Sequence, residues 1–531
     1  MRKYYLYMLL LATFPLVGFS QQKGILNASF ESNSQYYFND IAKNIRDKDF
    51  ASNNYLDLSY RYGKFEAGGT FESYLPNPLL GYATAYDDHG LTKKYISYQS
   101  EKLNVRLGDF YEQFGGGLIY RSFRERDIGV DQSTFGLGVH YSPFDFLRLK
   151  AIAGKPNFYF DTQDVTLYGA DAEVNFDIKN AGVILGFSAL LKQEEFTDKR
   201  TTQHDNVKLY SGRVGVNFGN FNLNTEFAYK TPDANVLNLY SRRKGKALQI
   251  SPSYSVKGFG VNLNFRAVDN MQLLYERELD GNGDGRKDED VFNYKMNYLP
   301  SIANIHSYNI YNIYTYQSKE NNEIGFNASV FYKFKKNSLL GGKYGTKLKL
   351  NSSVFYSQND LENNKGKFLY WREKMLSEHG LQIEKKISKR YKLIVEYTYQ
   401  EYNKFLIEDD IQGKELVYSH VFVADLLTKI NRKHSIKTEL GFMATKNDLG
   451  NWGTFLIEYA NSKGFSVFVS DQYNFGEEEK HYYLFGAAYA HKKSRISLSY
   501  GETRDGYTCV GGICKFLPGA KALSVSLAWK L

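Results

Sequence analysis

Beyond Gln21 the dominant pattern along the chain has period two. Leu56, Leu58, Tyr60 and Tyr62 alternate with Asp57, Ser59 and Arg61. Phe221, Leu223, Thr225, Phe227 and Tyr229 alternate with Asn222, Asn224, Glu226 and Ala228, and Phe259, Val261, Leu263 and Phe265 with Gly260, Asn262, Asn264 and Arg266. At the C-terminus Leu523, Val525, Leu527, Trp529 and Leu531 share one face, and Ala522, Ser524, Ser526, Ala528 and Lys530 the other. Successive side chains of a strand point to opposite faces, so each such segment predicts a strand with one apolar and one polar face.

Two architectures satisfy that pattern. A soluble sandwich turns the apolar faces inward; a membrane barrel turns them to lipid and lines its lumen with the polar ones. The strands look longer than the five or six residues usual in globular sheets. Aromatic residues gather near strand ends, as interfacial girdles require. Connections also alternate in length. Gly63-Lys64, Glu101-Lys102, Gly219-Asn220, Lys257-Gly258 and Asn461-Ser462-Lys463-Gly464 read as tight hairpins, whereas roughly 75–92, 110–132, 193–205, 269–303 and 503–518 are long excursions. Short turns at one end and long loops at the other are the build of an outer-membrane barrel. The expected fold is all-β: one large antiparallel transmembrane β-barrel of about 24–26 strands. The ambiguity lies at Phe368-Leu369-Tyr370-Trp371, which reads as strand or as loop, and parity slightly favours 26.

Composition agrees with this reading. Aromatic residues make up 16% of 531 residues, with Gly 45 and Pro 9, too aromatic for a disordered chain. They are expected mostly in lipid-facing rows and girdles. The mean hydropathy of −0.47, without repeated apolar runs of about 20 residues, excludes a polytopic helical membrane protein. Met1-Arg2-Lys3, the apolar run Tyr4 to Val17 and the small residues Gly18 and Ser20 form a secretory signal peptide over residues 1–20. The mature barrel is expected at 21–531. A formal net charge of +9, without a polybasic block, does not point to nucleic acid. With the first clear hairpin opening near Tyr55, the expected organisation has no plug domain, periplasmic repeat or passenger ahead of the barrel.

Several segments resemble a known family. Gly24-Ile25-Leu26-Asn27-Ala28-Ser29-Phe30-Glu31-Ser32-Asn33-Ser34-Gln35-Tyr36-Tyr37 is similar to its opening strand. Leu107-Gly108-Asp109-Phe110-Tyr111-Glu112-Gln113-Phe114-Gly115-Gly116-Gly117-Leu118, continued by Arg121, Arg124, Glu125, Arg126 and Gly129-Val130-Asp131, is similar to its most distinctive loop. Leu340-Gly341-Gly342-Lys343-Tyr344-Gly345-Thr346 and the Cys509 to Cys514 loop add to the likeness. The chain thus resembles an uncharacterised, porin-like family of Bacteroidota outer-membrane β-barrels over nearly its whole mature length. The resemblance implies location and fold; it carries over no catalytic residue.

Four features carry candidate chemistry. The loop 110–132 can bend at Gly115-Gly116-Gly117. If it folds inward, Glu112, Arg121, Arg124, Glu125, Arg126 and Asp131 would set opposed charges across a constriction; the alternative is a salt-bridged extracellular cap. Inward strand positions include Asp57, Arg61, Glu66, Glu72, Arg106, Arg148, Lys150, Arg213, Glu226 and Arg266, of both signs. Cys509 and Cys514, the only thiols of an exported chain, are expected to form a disulfide that staples the last long loop. Asp280, Asn282, Asp284, Asp288 and Asp290 follow most of a calcium-loop pattern, with Val291 where the twelfth ligand should stand; Ca²⁺ is the one candidate cofactor, and a solvated acidic turn is the alternative. Nine scattered His form no metallohydrolase motif, and an enzyme is not expected. Two functions remain: a porin-like channel for passive passage of small solutes, or a closed barrel anchoring surface loops or a partner complex. The implied partners are outer-membrane lipid, the barrel assembly machinery and, under one reading or the other, small solutes or surface partners.

Overall fold

The computed structural model describes residues 24–38, 50–83, 86–194, 206–238, 241–275, 295–360, 365–408, 416–510 and 513–531. Twenty-four long strands pair antiparallel, each with the next in sequence. The last, Lys521–Lys530, returns to the first, Ile25–Tyr37, from Ser29↔Lys530 to Tyr37↔Ala522, and closes the barrel. Closure leaves no unpaired strand edge, the condition for a sheet in hydrocarbon. The wall strands run from 8 residues at Leu103–Phe110 to 14 at Val165–Ile178. The two-residue strand Asp161–Thr162 only extends the edge of Leu147–Phe158. Phe368-Leu369-Tyr370-Trp371 belongs to the connection between Thr346–Tyr356 and Lys374–Lys386, so the count is 24 and the leaning toward 26 is corrected. Aromatic side chains there pack against wall residues, Trp371 on Tyr356 and Phe265, which imitates a strand's composition without its pairing.

The alternation assigns the faces as expected. Leu58, Phe187, Phe227, Phe422 and Leu440 point outward and remain 45–57% exposed, as a lipid-facing band must in the absence of lipid. Their neighbours Asp57, Glu226 and Glu439 point into the barrel. The C-terminal strand follows the same rule, with Leu523, Val525, Leu527 and Trp529 outward. At one end the turns between strands are short; Gly219 (φ +57°) and Gly258 (φ +88°) take up the left-handed backbone that two-residue hairpins demand. Both described ends of the chain, Gly24 and Leu531, lie at this short-turn end. The excursions at the other end are longer, and the one expected at 269–303 extends from Asn270 to Asn321.

Those excursions turn inward. Phe114, Leu118, Ile119 and Tyr120 pack with Leu273, Tyr275, Met296 and Leu299 against inward wall residues Ile152, Leu167, Leu190, Leu209 and Ala228. A second apolar cluster joins Tyr308, Ile310, Tyr311, Ile313, Tyr314 and Tyr316 to Phe355, Leu376, Tyr402, Val421, Met443 and Trp452 of the wall. Loop residues Ile128 and Val130 meet Tyr298 and Ile513, which ties the excursions to one another. The outer half of the lumen is therefore packed. Beside the lipid-facing aromatic rows there is a second population of tyrosines, including Tyr55, Tyr74, Tyr120, Tyr298 and Tyr402, inside the barrel.

Candidate functional site: a loop segment across the lumen

The segment 111–133 leaves strand Leu103–Phe110 and folds into the lumen. Its first part is a miniature hairpin: Ser122 N–H donates to Glu112 O at 2.9 Å and Phe114 N–H to Tyr120 O at 3.1 Å. Gly115 (φ +53°) and Gly117 (φ +87°) make its bend, conformations that side chains disfavour. A Cβ at Gly115 would also strike the Glu226 carboxylate at 2.8 Å. Sequence and site meet here. The glycines allow the backbone to approach the wall, and Gly116 N–H donates to Glu226 Oε2 at 2.5 Å.

The hairpin is pinned to the arc of wall from Thr134–Phe144 to Phe221–Lys230. Lys150 Nζ pairs with Glu112 Oε1 at 2.8 Å and donates to Gln113 O at 2.9 Å, while His140 bonds the other Glu112 oxygen. The second part of the segment is pinned to the arc formed by the first four strands. Arg124 pairs with Glu72, and its Nε lies 3.3 Å from Asp131. Asp131 also receives Lys93 Nζ at 3.1 Å. Arg126 reaches Glu31 at 3.0 Å, bonds both Asp57 oxygens at 2.9 Å and lies 4.2 Å from the Tyr55 ring centroid. Burial pushes the Asp131 carboxyl up, but Lys93 and Arg124 outweigh it and hold the group below its ordinary value.

Four of the six loop residues expected to carry charge across the lumen, Glu112, Arg124, Arg126 and Asp131, thus sit in ion pairs with wall residues. The other two do not join them. Glu125 caps the short helix that follows, accepting from Asp127 N–H at 3.4 Å. Arg121 lies 4.9 Å from the Phe123 ring centroid, and its Nη1 is buried without a hydrogen-bond partner among the described residues; burial lowers its pKa. The inward strand charges also find partners: Arg61 with Glu66, Arg148 with Glu173, Arg213 with Asp171 at 2.7 Å, and Arg266 with Glu323 at 2.8 Å. Arg106 stacks on Tyr95 at 3.5 Å.

A second lumenal segment, 295–321, went unread in the sequence because its aromatics follow no strand period. His306 Nε2 lies 3.0 Å from Glu378 and Nδ1 3.3 Å from Glu396, and its ring stacks on Tyr311 at 3.7 Å. Burial would pull the imidazole down; the two carboxylates overcome it and raise it to about 9. Tyr314 and Tyr316 donate to Asp448 and Glu323, each at 2.8 Å. Asn297 and Gln132 tie this segment to 111–133 through Leu118 O and Lys295 O.

Space also remains beside the packed loops. A cleft of about 330 Å³ runs along the seam wall past Gln35, Tyr37, Ser524 and Ser526, with Arg126, Asp127 and Arg504 on its loop side. Cys509 and Cys514 are joined as expected, with Cα atoms 4.0 Å apart, in the hairpin Gly506–Val510 with Ile513–Leu517. Ile513 lies against both lumenal segments. Asp280, Asn282, Asp284, Asp288 and Asp290 and the signal segment 1–20 lie outside the described residues. No group of three or more His, Cys, Asp or Glu residues disposed to hold a metal occurs among the described residues.

A closed antiparallel barrel of 24 strands, apolar outside and polar within, defines a protein of the bacterial outer membrane. Over residues 1–531 the sequence matches a family of unknown function, DUF6029, and the chain belongs to that family. No curated protein matches it. Among solved structures it is similar to the translocation pore of the P pilus usher PapC, with 10% identity and TM-score 0.45, covering 95% of this chain and 99% of that one. It is also similar to the siderophore receptor PirA from Pseudomonas aeruginosa, with 9% identity and TM-score 0.42, covering 96% and 81%. A third is a BenF-like porin from Pseudomonas fluorescens Pf-5, with 9% identity and TM-score 0.36, covering 96% and 98%.

Proposed function

We propose that the protein is a porin-like channel for passive passage of small solutes, with residues 111–133 as its constriction. One observation carries this reading: the segment crosses the lumen on ion pairs to two arcs of wall while a polar cleft of about 330 Å³ stays open beside it. Charged side chains fixed along one side of a narrow passage select solutes by charge as well as by size. The cleft offers hydroxyl and amide groups from Ser524, Ser526 and Gln35, with Arg126, Arg504 and Asp127 facing them. This chemistry suits small hydrophilic solutes. Purified protein in planar bilayers should give stable, stepwise openings of small conductance. A folded barrel that stays silent contradicts the channel.

The second reading, a closed barrel anchoring surface loops or a partner complex, draws on a different observation. The two apolar clusters fill much of the outer lumen with rings and branched side chains, and burying each such side chain contributes about 1.5–3 kcal/mol. Packing of that kind favours permanence. The same bilayer experiment separates the two readings.

A further inference from the structure

The short-turn end of the barrel is electrically lopsided. Six successive turns, from Gly63-Lys64 to Lys257-Gly258, hold at most one cation apiece, and two of them carry the acids Glu101 and Asp145. The next five, at 334–345, 387–390, 430–433, 462–464 and 492–493, each hold one to three cations and no carboxylate. The strands of these five turns are consecutive in the wall, so the cations form one continuous arc of the rim. At its centre Lys389 and Arg390 of one turn face Arg432 and Lys433 of the next across a concavity of about 680 Å³. All four are exposed, and none makes an ion pair among the described residues.

Apolar side chains accompany these charges. Ile387 (53% exposed) prolongs the lipid-facing row of Ile383, and Ile430 (48%) prolongs that of Tyr418 and Phe422. Tyr391 stands on the same outer face, and Leu339 and Leu340 project from the longest turn of the arc. Apolar surface continuous with the membrane band, directly below a cluster of free cations, matches a phospholipid: acyl chains along the isoleucines and tyrosine, phosphate among the guanidinium and ammonium groups. Both parts of the arrangement are used only if the anion is tethered to hydrocarbon. A soluble acidic protein segment would leave Ile387 and Ile430 without a role, and a free phosphate would as well.

We propose that this arc of the periplasmic rim binds the phosphate of an anionic phospholipid of the inner leaflet, seated between turns 387–390 and 430–433. Each basic side chain close to an anionic membrane surface contributes roughly fivefold to binding, and Arg adds fork geometry suited to phosphate oxygens. The site lies on one side of the barrel only, because the opposite arc of turns has isolated cations and two carboxylates. It does not depend on whether the lumen conducts.

Native mass spectrometry of the whole folded protein, released from neutral detergent, tests this. Phosphatidylglycerol and phosphatidylcholine with identical acyl chains are the probes, with inorganic phosphate as the soluble competitor. Wild type should retain phosphatidylglycerol at least about tenfold better than phosphatidylcholine. The variant Arg390→Gln/Arg432→Gln/Lys433→Gln should lose that preference, whereas Lys64→Gln/Lys179→Gln/Lys257→Gln on the other arc should keep it. Should the first variant fail to fold, the wild-type preference must still fall when ionic strength is raised, since exposed charges are screened. Equal retention of the two lipids by wild type overturns the proposal. So does an unchanged preference in the first variant, or displacement of the lipid by inorganic phosphate at equal concentration.

Discussion

The two segments that enter the lumen both bury apolar side chains but differ in how much charge holds them. Residues 111–133 combine an apolar tip, Phe114, Leu118, Ile119 and Tyr120, with charged attachments to the wall: Arg124 and Arg126 on Glu31, Asp57 and Glu72 at one end, and Glu112 on Lys150 and His140 at the other. Residues 301–316 are attached through rings, with Tyr308, Tyr311, Tyr314 and Tyr316 packed into a pocket of Phe355, Tyr402 and Trp452; His306 is the principal ionic tether. Ion pairs are directional and respond to pH and salt. Apolar burial is non-directional and involves no titrating group. A lumen narrowed by both has one part held by many ion pairs, which acid and salt weaken, and one part whose response to pH runs mainly through His306.

Substituting Arg124 tests that contrast most severely. Arg124→Gln leaves the largely buried Glu72 without its main cation and takes from Asp131 one of its two, Lys93 remaining; removing one member of a buried pair typically costs about 3–5 kcal/mol. Amide hydrogen exchange should rise across 111–133 and stay unchanged across 301–316. On the other side Trp452→Ala removes a fully buried ring, at a cost of about 3–5 kcal/mol, and the exchange pattern should reverse. If either substitution loosens both segments equally, the two are one cooperative unit and the contrast fails.

Acidity separates the segments in opposite directions. Asp131 is held below its ordinary value, so its contribution is present above the unfolded Asp value of about 3.9 and is lost as pH falls through the lower folded value. His306 is raised to about 9; its contribution is complete below about 6.5 and is lost as pH rises through 9. Exchange in 111–133 should therefore increase on strong acidification and in 301–316 on alkalinisation. His306→Gln should abolish only the alkaline change, with a loss of about 1.5–3 kcal/mol at neutral pH, the range for hydrogen bonds to charged groups. Reducing the Cys509–Cys514 bridge should have a smaller effect, about 2 kcal/mol for so short a loop. Since Ile513 of that hairpin touches both segments, its reduction should raise exchange slightly in each.

The barrel was legible in the chain because period-two alternation is imposed residue by residue: a strand with lipid on one face and water on the other admits little else. The opening strand, the tight turns and the inward charges from Asp57 to Arg266 follow from it. Segment 111–133 was half legible. Its glycine triplet announced a bend and its mixed charges a partner, but both an inward fold and an outer cap fitted until Glu31, Asp57, Glu72 and Glu226 were found beside it. The ring-rich segment from Tyr308 to Tyr316 gave no warning. Its tyrosines match the composition of a membrane girdle, and only the wall residues across the lumen, far apart in sequence, tell the two apart. The cationic arc was similarly hidden, since its charges are spread over five turns that the barrel alone makes neighbours.

The central claim is that an ion-paired segment restricts a passage through the barrel. Single-channel conductance in planar bilayers, comparing wild type with Arg124→Gln/Arg126→Gln under the same salt, tests it most directly. The account predicts stepwise wild-type openings and a several-fold larger, noisier conductance in the variant, as 111–133 comes away from Glu31, Asp57 and Glu72 and widens the cleft. Identical conductance in the two proteins, or silence in both, would contradict it.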